Sequence, residues 1–376
     1  MFALTVVSVF LGMHLFAWTR LQRQVHFPWR IFWFGTALCL PLSLSIIYGY
    51  LVPDTWPAWT IRAVWQTTYF WVGFVLYIFS VQTTALVLET GLRVLRPALL
   101  CKAKTWLGTA SVPISLLLLS TGYYLAASPP EITRYSVHTP KLEKPFTLAL
   151  VADNHLGIQT RLSETKDIAY ILNQEKPEVC LFAGDLFNDH PGFLDQHLKI
   201  FRDLDLPRGK YGILGNHEVY FGRKKAVRLM KKAGIRPVRN TVFSLPGVPV
   251  QIAGIDDPAR HGDNKDFYAR IMQEVLAGAD PERFTILVTH RPEGLLPAAD
   301  LGVDLQLSGH THNGQLFPFN LLVRTAYPHI YGQYREKGTV LIVTRGAGTW
   351  GPSARFPHRR EIVIIDILPE AKEAKQ

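Results

Sequence analysis

Five short stretches of this sequence carry side chains of the kinds that hold divalent metals: Asp153-Asn154-His155, Gly184-Asp185, Gly215-Asn216-His217-Glu218, His290 and Gly309-His310-Thr311-His312. Each supplies a carboxylate, an amide or an imidazole. That mixture suits zinc, manganese or iron, and the absence of Cys from it argues against a purely structural zinc site. Taken singly, the residues have plainer duties. Asp153 and Asp185 are placed to cap helices, Asn216 to occupy a turn of positive φ, and His290 to sit hydrogen-bonded in a core. Those duties leave unexplained why every candidate follows an apolar run, and why the series ends in the pair His310 and His312.

The runs that precede the candidates read as strands. Phe146–Val151 leads to Asp153, Val179–Ala183 to Gly184-Asp185, and Tyr211–Leu214 to Gly215-Asn216. Helical periodicity separates them at Arg161–Gln174, Phe193–Asp203 and Lys224–Ala233, the last closed by Gly234. Further strands are predicted at Val250–Ile255, Thr285–Thr289, Leu305–Ser308, Val340–Thr344 and Ile362–Ile367. Polar residues therefore gather at the carboxyl ends of strands, where open α/β sheets bind their ligands.

The order and spacing of the five stretches resemble the calcineurin-like metallophosphoesterase superfamily. The run from Gly309 through Gly332-Gln333-Tyr334 to Arg345-Gly346-Ala347-Gly348-Thr349 resembles its membrane-associated bacterial branch. The resemblance covers Phe146 to Leu368 and implies an α/β fold, a β-sandwich flanked by helices (αββα). It also implies two divalent ions, manganese, zinc or iron. Asp153, His155, Asp185 and His312 would hold one, Asp185 would bridge, and Asn216, His290 and His310 would complete the second. His217 resembles the family's non-ligand histidine, which protonates the leaving oxygen.

Physical chemistry accounts for those residue types. Two divalent ions about 3.5–4 Å apart can share a water, lower its pKa toward roughly 7 and clamp the attacking and departing oxygens of an in-line displacement. Their charge outweighs Asp153, Asp185 and a bridging hydroxide, which leaves a positive surplus for a phosphate anion; a neutral Asn216 preserves it. Glu218 is placed to orient His217 or raise its pKa. Asn154 and Asn313 depart from the branch, which more often has an apolar residue and a glycine there, and Asn313 is expected to alter the pocket. Arg291 is placed either for a phosphate oxygen or for a surface salt bridge.

The first third of the chain has a different composition. The 376 residues exceed one domain's usual length, and before Ser128 they are overwhelmingly apolar. Phe2–Trp18, Ile31–Val52, Thr67–Leu88 and Trp106–Ala127 are each near the length that spans a hydrocarbon core, so four transmembrane helices are expected over residues 1–127. Trp18, Trp33, Trp65 and Trp106 are expected at headgroup depth. Arg20 and Arg23 follow the first run instead of preceding it, which disfavours a cleaved signal peptide. Loop one holds Arg20, Arg23 and Arg30, and loop three Arg93, Arg96, Lys102 and Lys104, whereas loop two offers Arg62 against Asp54. Loops one and three are thus expected in the cytoplasm, and a catalytic domain at residues 146–376, after a Pro-marked linker at 128–145, outside it.

The net charge of +10 favours anionic partners, and the bilayer is the simpler one, because no nucleic-acid-binding motif accompanies it. Cys39, Cys101 and Cys180 show no framework or metal spacing. The basic run Arg223, Lys224, Lys225, Arg228, Lys231, Lys232 reads as a headgroup patch or as a solvated face opposite Val227, Met230 and Ala233. Leu316–Tyr334 reads as a loop admitting a lipid chain or as ordinary packing. The resulting expectation is an integral, multi-pass protein of the plasma or inner membrane that hydrolyses a phosphodiester or lipid-linked phosphate. One alternative is a pyrophosphatase cleaving a nucleotide-activated diacylated sugar in lipid A synthesis, which needs cytoplasmic access. Another is a non-catalytic membrane sensor or scaffold.

Overall fold

The computed structural model describes residues 2–51, 56–188, 191–259 and 265–370. They form two compact units, one of Met1–Leu125 with Gly351–Phe356 and one of Ala126–Trp350 with Pro357–Gln376.

The first unit is helical: α1 (Phe2–Val25), α2 (Trp29–Leu51), α3 (Ala58–Leu95) and α4 (Leu100–Ala127). Each of the four expected membrane segments lies on one of these helices, apart from Val52, which falls outside the described residues. Among the described residues, three stretches are long and apolar enough to cross a membrane: Leu4–Val25, Ala58–Leu95 and Pro97–Ala127. A buried ion pair lies inside the unit. Arg20 donates from Nη1 to Glu89 Oε2 (3.1 Å) and from Nη2 to Oε1 (2.7 Å), and Gln24 Nε2 donates to the same Oε1 (2.7 Å). Breaking such a buried pair costs about 3–5 kcal/mol, because one charge is left uncompensated. Trp33 and Trp106 are exposed (63% and 74%), whereas Trp65 is 2% exposed. It faces inward against Tyr69, and hydropathy alone does not tell which face of a helix a residue occupies. The segment Gly351–Phe356 packs into this unit: the Arg355 backbone N–H donates to Gly122 O (2.9 Å), and the Phe356 ring stands edge-on to Tyr77.

The second unit begins with β1 (Glu131–Thr139), β2 (Phe146–Val151), α5 (Leu162–Glu175), β3 (Val179–Phe182), α6 (Asp195–Arg202) and β4 (Lys210–Gly212). It continues with α7 (Asn216–Phe221), α8 (Arg223–Lys232), β5 (Arg236–Pro237), β6 (Thr241–Ser244), β7 (Val250–Ile255), α9 (Lys265–Leu276) and β8 (Phe284–Thr289). The last elements are α10 (Leu295–Asp300), β9 (Leu305–Ser308), α11 (Phe319–Ala326), β10 (Gly332–Glu336), β11 (Thr339–Val343) and β12 (Glu361–Pro369). Two mixed six-stranded sheets result, ordered β1-β12-β2-β3-β4-β5 and β10-β11-β9-β8-β7-β6.

Strand periodicity sorts the side chains into layers. Leu148 and Leu150 of β2 enter a core shared with Ile286, Leu305, Leu307 and Ile342 of the other sheet. The alternate residues Ala149 and Val151 pack with Ile168 and Leu172 of α5, Leu198 and Phe201 of α6, and Met230 of α8. On the far side Ala253, Ile255 and Leu287 meet Tyr268 and Met272 of α9 and Ala298 of α10. This is the expected αββα order, and burial on both faces explains why the strands read as unbroken apolar runs.

Residues 128–145, expected as a linker, are largely a strand. β1 pairs in parallel with β12 from Glu131↔Glu361 to Thr139↔Pro369. It lies at the sheet edge with alternate residues exposed, so it lacks the apolar run that marks a central strand. The basic run lies on α8, whose Ala226 and Met230 are buried while Arg223, Lys224, Arg228, Lys231 and Lys232 are exposed. Lys232 Nζ pairs with Asp195 (2.7 Å), which fits a solvated helix face.

Candidate metal centre

Loops at the strand ends bring all the candidate residues to one place. Asp153 and His155 follow β2, Asp185 follows β3, Asn216 and His217 open α7, His290 follows β8, and His310 and His312 follow β9. Asp153, His155, Asp185, His310 and His312 all have positive φ, between 47° and 71°. Asp and His enter this region more readily than most residues, yet each such residue costs about 1–3 kcal/mol. The loops leave no room for a side chain at the intervening glycines. A Cβ on Gly215 would lie 2.2 Å from Asp185 Oδ1, and one on Gly309 would lie 2.6 Å from Asp153 Oδ2.

Ligand-type atoms converge in three trios, each with its atoms within 4.8 Å of one another: Asp153, His155, His312; His155, Asp185, His217; and Asp185, His290, His310. His155 Nε2 stands 3.0 Å from His312 Nε2. Asp185 Oδ2 lies between the two groups, 3.8 Å from His155 Nε2 and 3.1 Å from His290 Nε2. Asp185 Oδ1 accepts the His217 backbone N–H (2.9 Å), and the Asp153 carboxylate accepts that of His310 (3.0 and 3.1 Å).

The surroundings of His290 test whether a metal belongs here. Its Nδ1 lies 2.8 Å from the Ala183 carbonyl oxygen, which can only accept, so Nδ1 carries a hydrogen. In the neutral ring Nε2 is then a bare lone pair. It faces Asp185 Oδ2 (3.1 Å), Asn216 Oδ1 (3.1 Å) and His310 Nδ1 (3.1 Å). An acceptor among acceptors requires either an added proton or a cation. Without metal the proton wins: burial pulls His290 down, but the Asp185 carboxylate beside it overrides this and raises the imidazole to about 10. Burial would raise Asp185 in turn, and the imidazoles of His290, His217 and His155 instead hold it well below the usual carboxylate range. The donor set fits a divalent ion, and the Nδ1–H···O=C bond is the arrangement that orients metal-ligating histidines.

Glu218 does something other than act on His217. Its Oε2 accepts the backbone N–H groups of Asp185 and Gly215 (2.8 Å each), and its Oε1 that of Phe187 (2.7 Å). It therefore fastens the Asp185 loop to the start of α7. Burial, then Asp185, pushes its carboxyl up to about 8, against the pull of the amides. His217 is half-buried, its ring edge-on to His155 at 4.6 Å between centroids.

Arg291 is spent on a buried partner, neither a phosphate oxygen nor a surface bridge: Nε donates to Asp257 Oδ2 (2.7 Å) and Nη1 to Tyr327 Oη (3.1 Å). Asn313 has φ 52°, a backbone that asparagine tolerates nearly as glycine does, so the departure leaves the loop intact. Asn154 is buried, and its side-chain amide has no hydrogen-bond partner among the described residues. Asp257, Tyr327 and the clamping role of Glu218 were missed from sequence, because each acts across loops distant in the chain.

Residues 146–314 match the family model described as calcineurin-like phosphoesterase. The chain is 31% identical over 259 residues to an uncharacterized metallophosphoesterase of Campylobacter jejuni, covering 68% of each chain. It is 32% identical over 243 residues to one of Aquifex aeolicus, covering 63% of this chain and 91% of that one. A transmembrane protein with metallophosphoesterase domain from Danio rerio is 29% identical over 270 residues, 69% of this chain and 62% of its own.

Because His290 of the metal-free protein holds its extra proton up to about pH 10, loading the site must expel it. Metal affinity should therefore rise with pH, by about tenfold per unit for that single proton, and flatten above about 10. Calorimetric titration of manganese at pH 7.5 in buffers of different ionisation enthalpy should report at least one proton released. Heats independent of the buffer would contradict this account.

Proposed function

Since the chain belongs to the calcineurin-like phosphoesterase family, we propose that it is a membrane-anchored phosphoesterase that hydrolyses a phosphodiester or lipid-linked phosphate at a two-metal site. The observation that carries this is the His290 lone pair, set among three acceptors and calling for a cation. Asp153, His155, Asp185 and His312 would hold one ion and Asn216, His290 and His310 the other, with Asp185 Oδ2 shared. Two divalent ions, when bound, supply Lewis acidity to the phosphoryl oxygens and to the attacking water; manganese, zinc and iron all suit the donors.

The protein's own contribution is placement. Asp185 is fixed by the His217 N–H on one oxygen, which aims the other between the two groups of ligands. His217 stands at the open edge of the cluster, where its ring can pass a proton to the departing oxygen. Although it lies within ligand distance of His155 and Asp185, we assign it the acid's role, since it is half-buried and its ring borders the exposed Trp350 (6.1 Å) and Tyr220 (5.8 Å).

An apolar rim supports a lipid substrate. Phe317, Phe319, Leu321, Leu322 and Trp350 are 41–62% exposed, and no residue of α11 is buried. The rim adjoins the metal loop, because Gln315 holds the Trp350 backbone through two bonds of 2.9 Å. The anchor supplies location. α4 ends at Ala127 and β1 starts at Glu131, so a short connection tethers the unit with the site to the anchor and raises its effective concentration toward a substrate in the same bilayer.

The anchor also bears on sidedness. The Arg20–Glu89 pair joins the end of α1 to the end of α3, which places Arg23, Arg93, Lys102 and Lys104 near one end of the helical unit. A basic end belongs in the cytoplasm, and α4 runs from it to the other side, so the phosphoesterase unit is extracytoplasmic.

The purified full chain should hydrolyse bis-p-nitrophenyl phosphate with manganese. Asp185→Ala should abolish the activity together with metal binding, and His217→Ala should lower kcat by about 10²–10⁴ with metal content kept. Equal rates in all three proteins would leave a scaffold as the better reading. Leu321→Ser with Leu322→Ser should weaken turnover of a lipid phosphoester in mixed micelles by tenfold or more, since each buried Leu contributes about 1.5–3 kcal/mol, while the soluble diester is turned over as before; parallel losses on both substrates would remove the lipid assignment. Alkaline phosphatase fused after Pro130 should be active, and an inactive fusion beside a fluorescent cytoplasmic reporter at the same point would reverse the topology.

A further inference from the structure

A chain of three side chains leads away from His310 on the side opposite the cluster. His310 Nε2 lies 2.9 Å from Tyr327 Oη, and the same oxygen accepts from Arg291 Nη1 (3.1 Å). Arg291 is held by Asp257 through Nε (2.7 Å) and Nη2 (3.4 Å). Asp257 is 1% exposed and Arg291 4%. Asp257 is itself tied to the end of β4 through its backbone N–H to Leu214 O (2.8 Å) and accepts the Ala259 N–H (2.6 Å). The chain thus starts on rigid sheet-end backbone and ends on a ring nitrogen.

Donor and acceptor roles follow. A guanidinium only donates, so Tyr327 Oη accepts from Arg291 and keeps one lone pair. His310 Nδ1 faces the cluster, 3.1 Å from His290 Nε2, and to coordinate an ion there it must offer a bare lone pair. A neutral imidazole with a bare Nδ1 carries its hydrogen on Nε2, and the second lone pair of Tyr327 Oη receives it. The opposite tautomer would turn a hydrogen toward the cluster and block coordination.

We propose that Tyr327, backed by Arg291 and Asp257, is a positioning residue that accepts the Nε2–H of His310 and so keeps Nδ1 turned toward one ion. Outer partners of this kind change metal affinity by about 10–100-fold. The proposal rests on the metal reading above. Manganese titration of the full-length protein, followed by electron paramagnetic resonance, should give two bound ions in wild type. In Tyr327→Phe one of the two should bind 10–100-fold more weakly and the other within twofold of wild type, at an unchanged melting midpoint. ¹⁵N-histidine spectra of wild type loaded with diamagnetic zinc should show His310 as Nε2–H. Two ions bound with wild-type affinity in Tyr327→Phe, or an Nδ1–H signal for His310, would overturn the anchor alone. A wild-type protein that binds no divalent ion would overturn the metal reading instead.

Discussion

The second unit is organised around the Nε2 lone pair of His290, held in place by the Nδ1–H bond to the Ala183 carbonyl and surrounded by other acceptors. Such a cluster is unfavourable by itself, since an acceptor facing acceptors loses its hydration and gains nothing in return. The metal-free chain relieves this by taking up a proton. Any divalent ion relieves it further by neutralising two carboxylates at once.

Keeping so unfavourable a cluster assembled requires a frame that does not yield. The sandwich core supplies it through β2, β3, β8 and β9, buried on both faces. The loops beyond these strands are then fixed by backbone contacts: Asp153 N–H to Gly184 O (3.1 Å), His155 N–H to Asp185 O (2.9 Å) and Gly309 N–H to His290 O (2.9 Å). Glu218 adds three amide contacts from one carboxylate. A buried acid with no cation beside it is costly unless hydrogen-bonded, and here the amides that satisfy it belong to the loops that must not move.

How much of this could be read from sequence follows from the range of each interaction. β2, β7 and β9 were bounded as they occur, and β3, β4, β8, β11 and β12 to within one or two residues at either end, because a strand buried on both faces leaves an apolar run. The candidate ligands were legible for a related reason, lying one to four residues beyond such runs. β1 was hidden by its edge position, β6 and β10 by half-exposed alternation. Glu218, Asp257 and Tyr327 were hidden because their partners lie dozens of residues away and their types are common on surfaces.

α11 ties the apolar rim to the metal loop more closely than the order of elements suggests. It starts at Phe319, seven residues past His312, and a Cβ on Gly314 would lie 2.2 Å from the Asn320 Cα. Its C-terminal end is Tyr327, whose backbone N–H caps the helix on Val323 O and whose hydroxyl meets His310. Between these ends the helix buries none of its side chains, including Phe319, Leu321 and Leu322. It is held by its ends, both at the cluster, and not by a packed face. A segment so attached follows the metal loop instead of the core, which explains how eight residues with an uncovered apolar face keep a defined position beside a buried polar site.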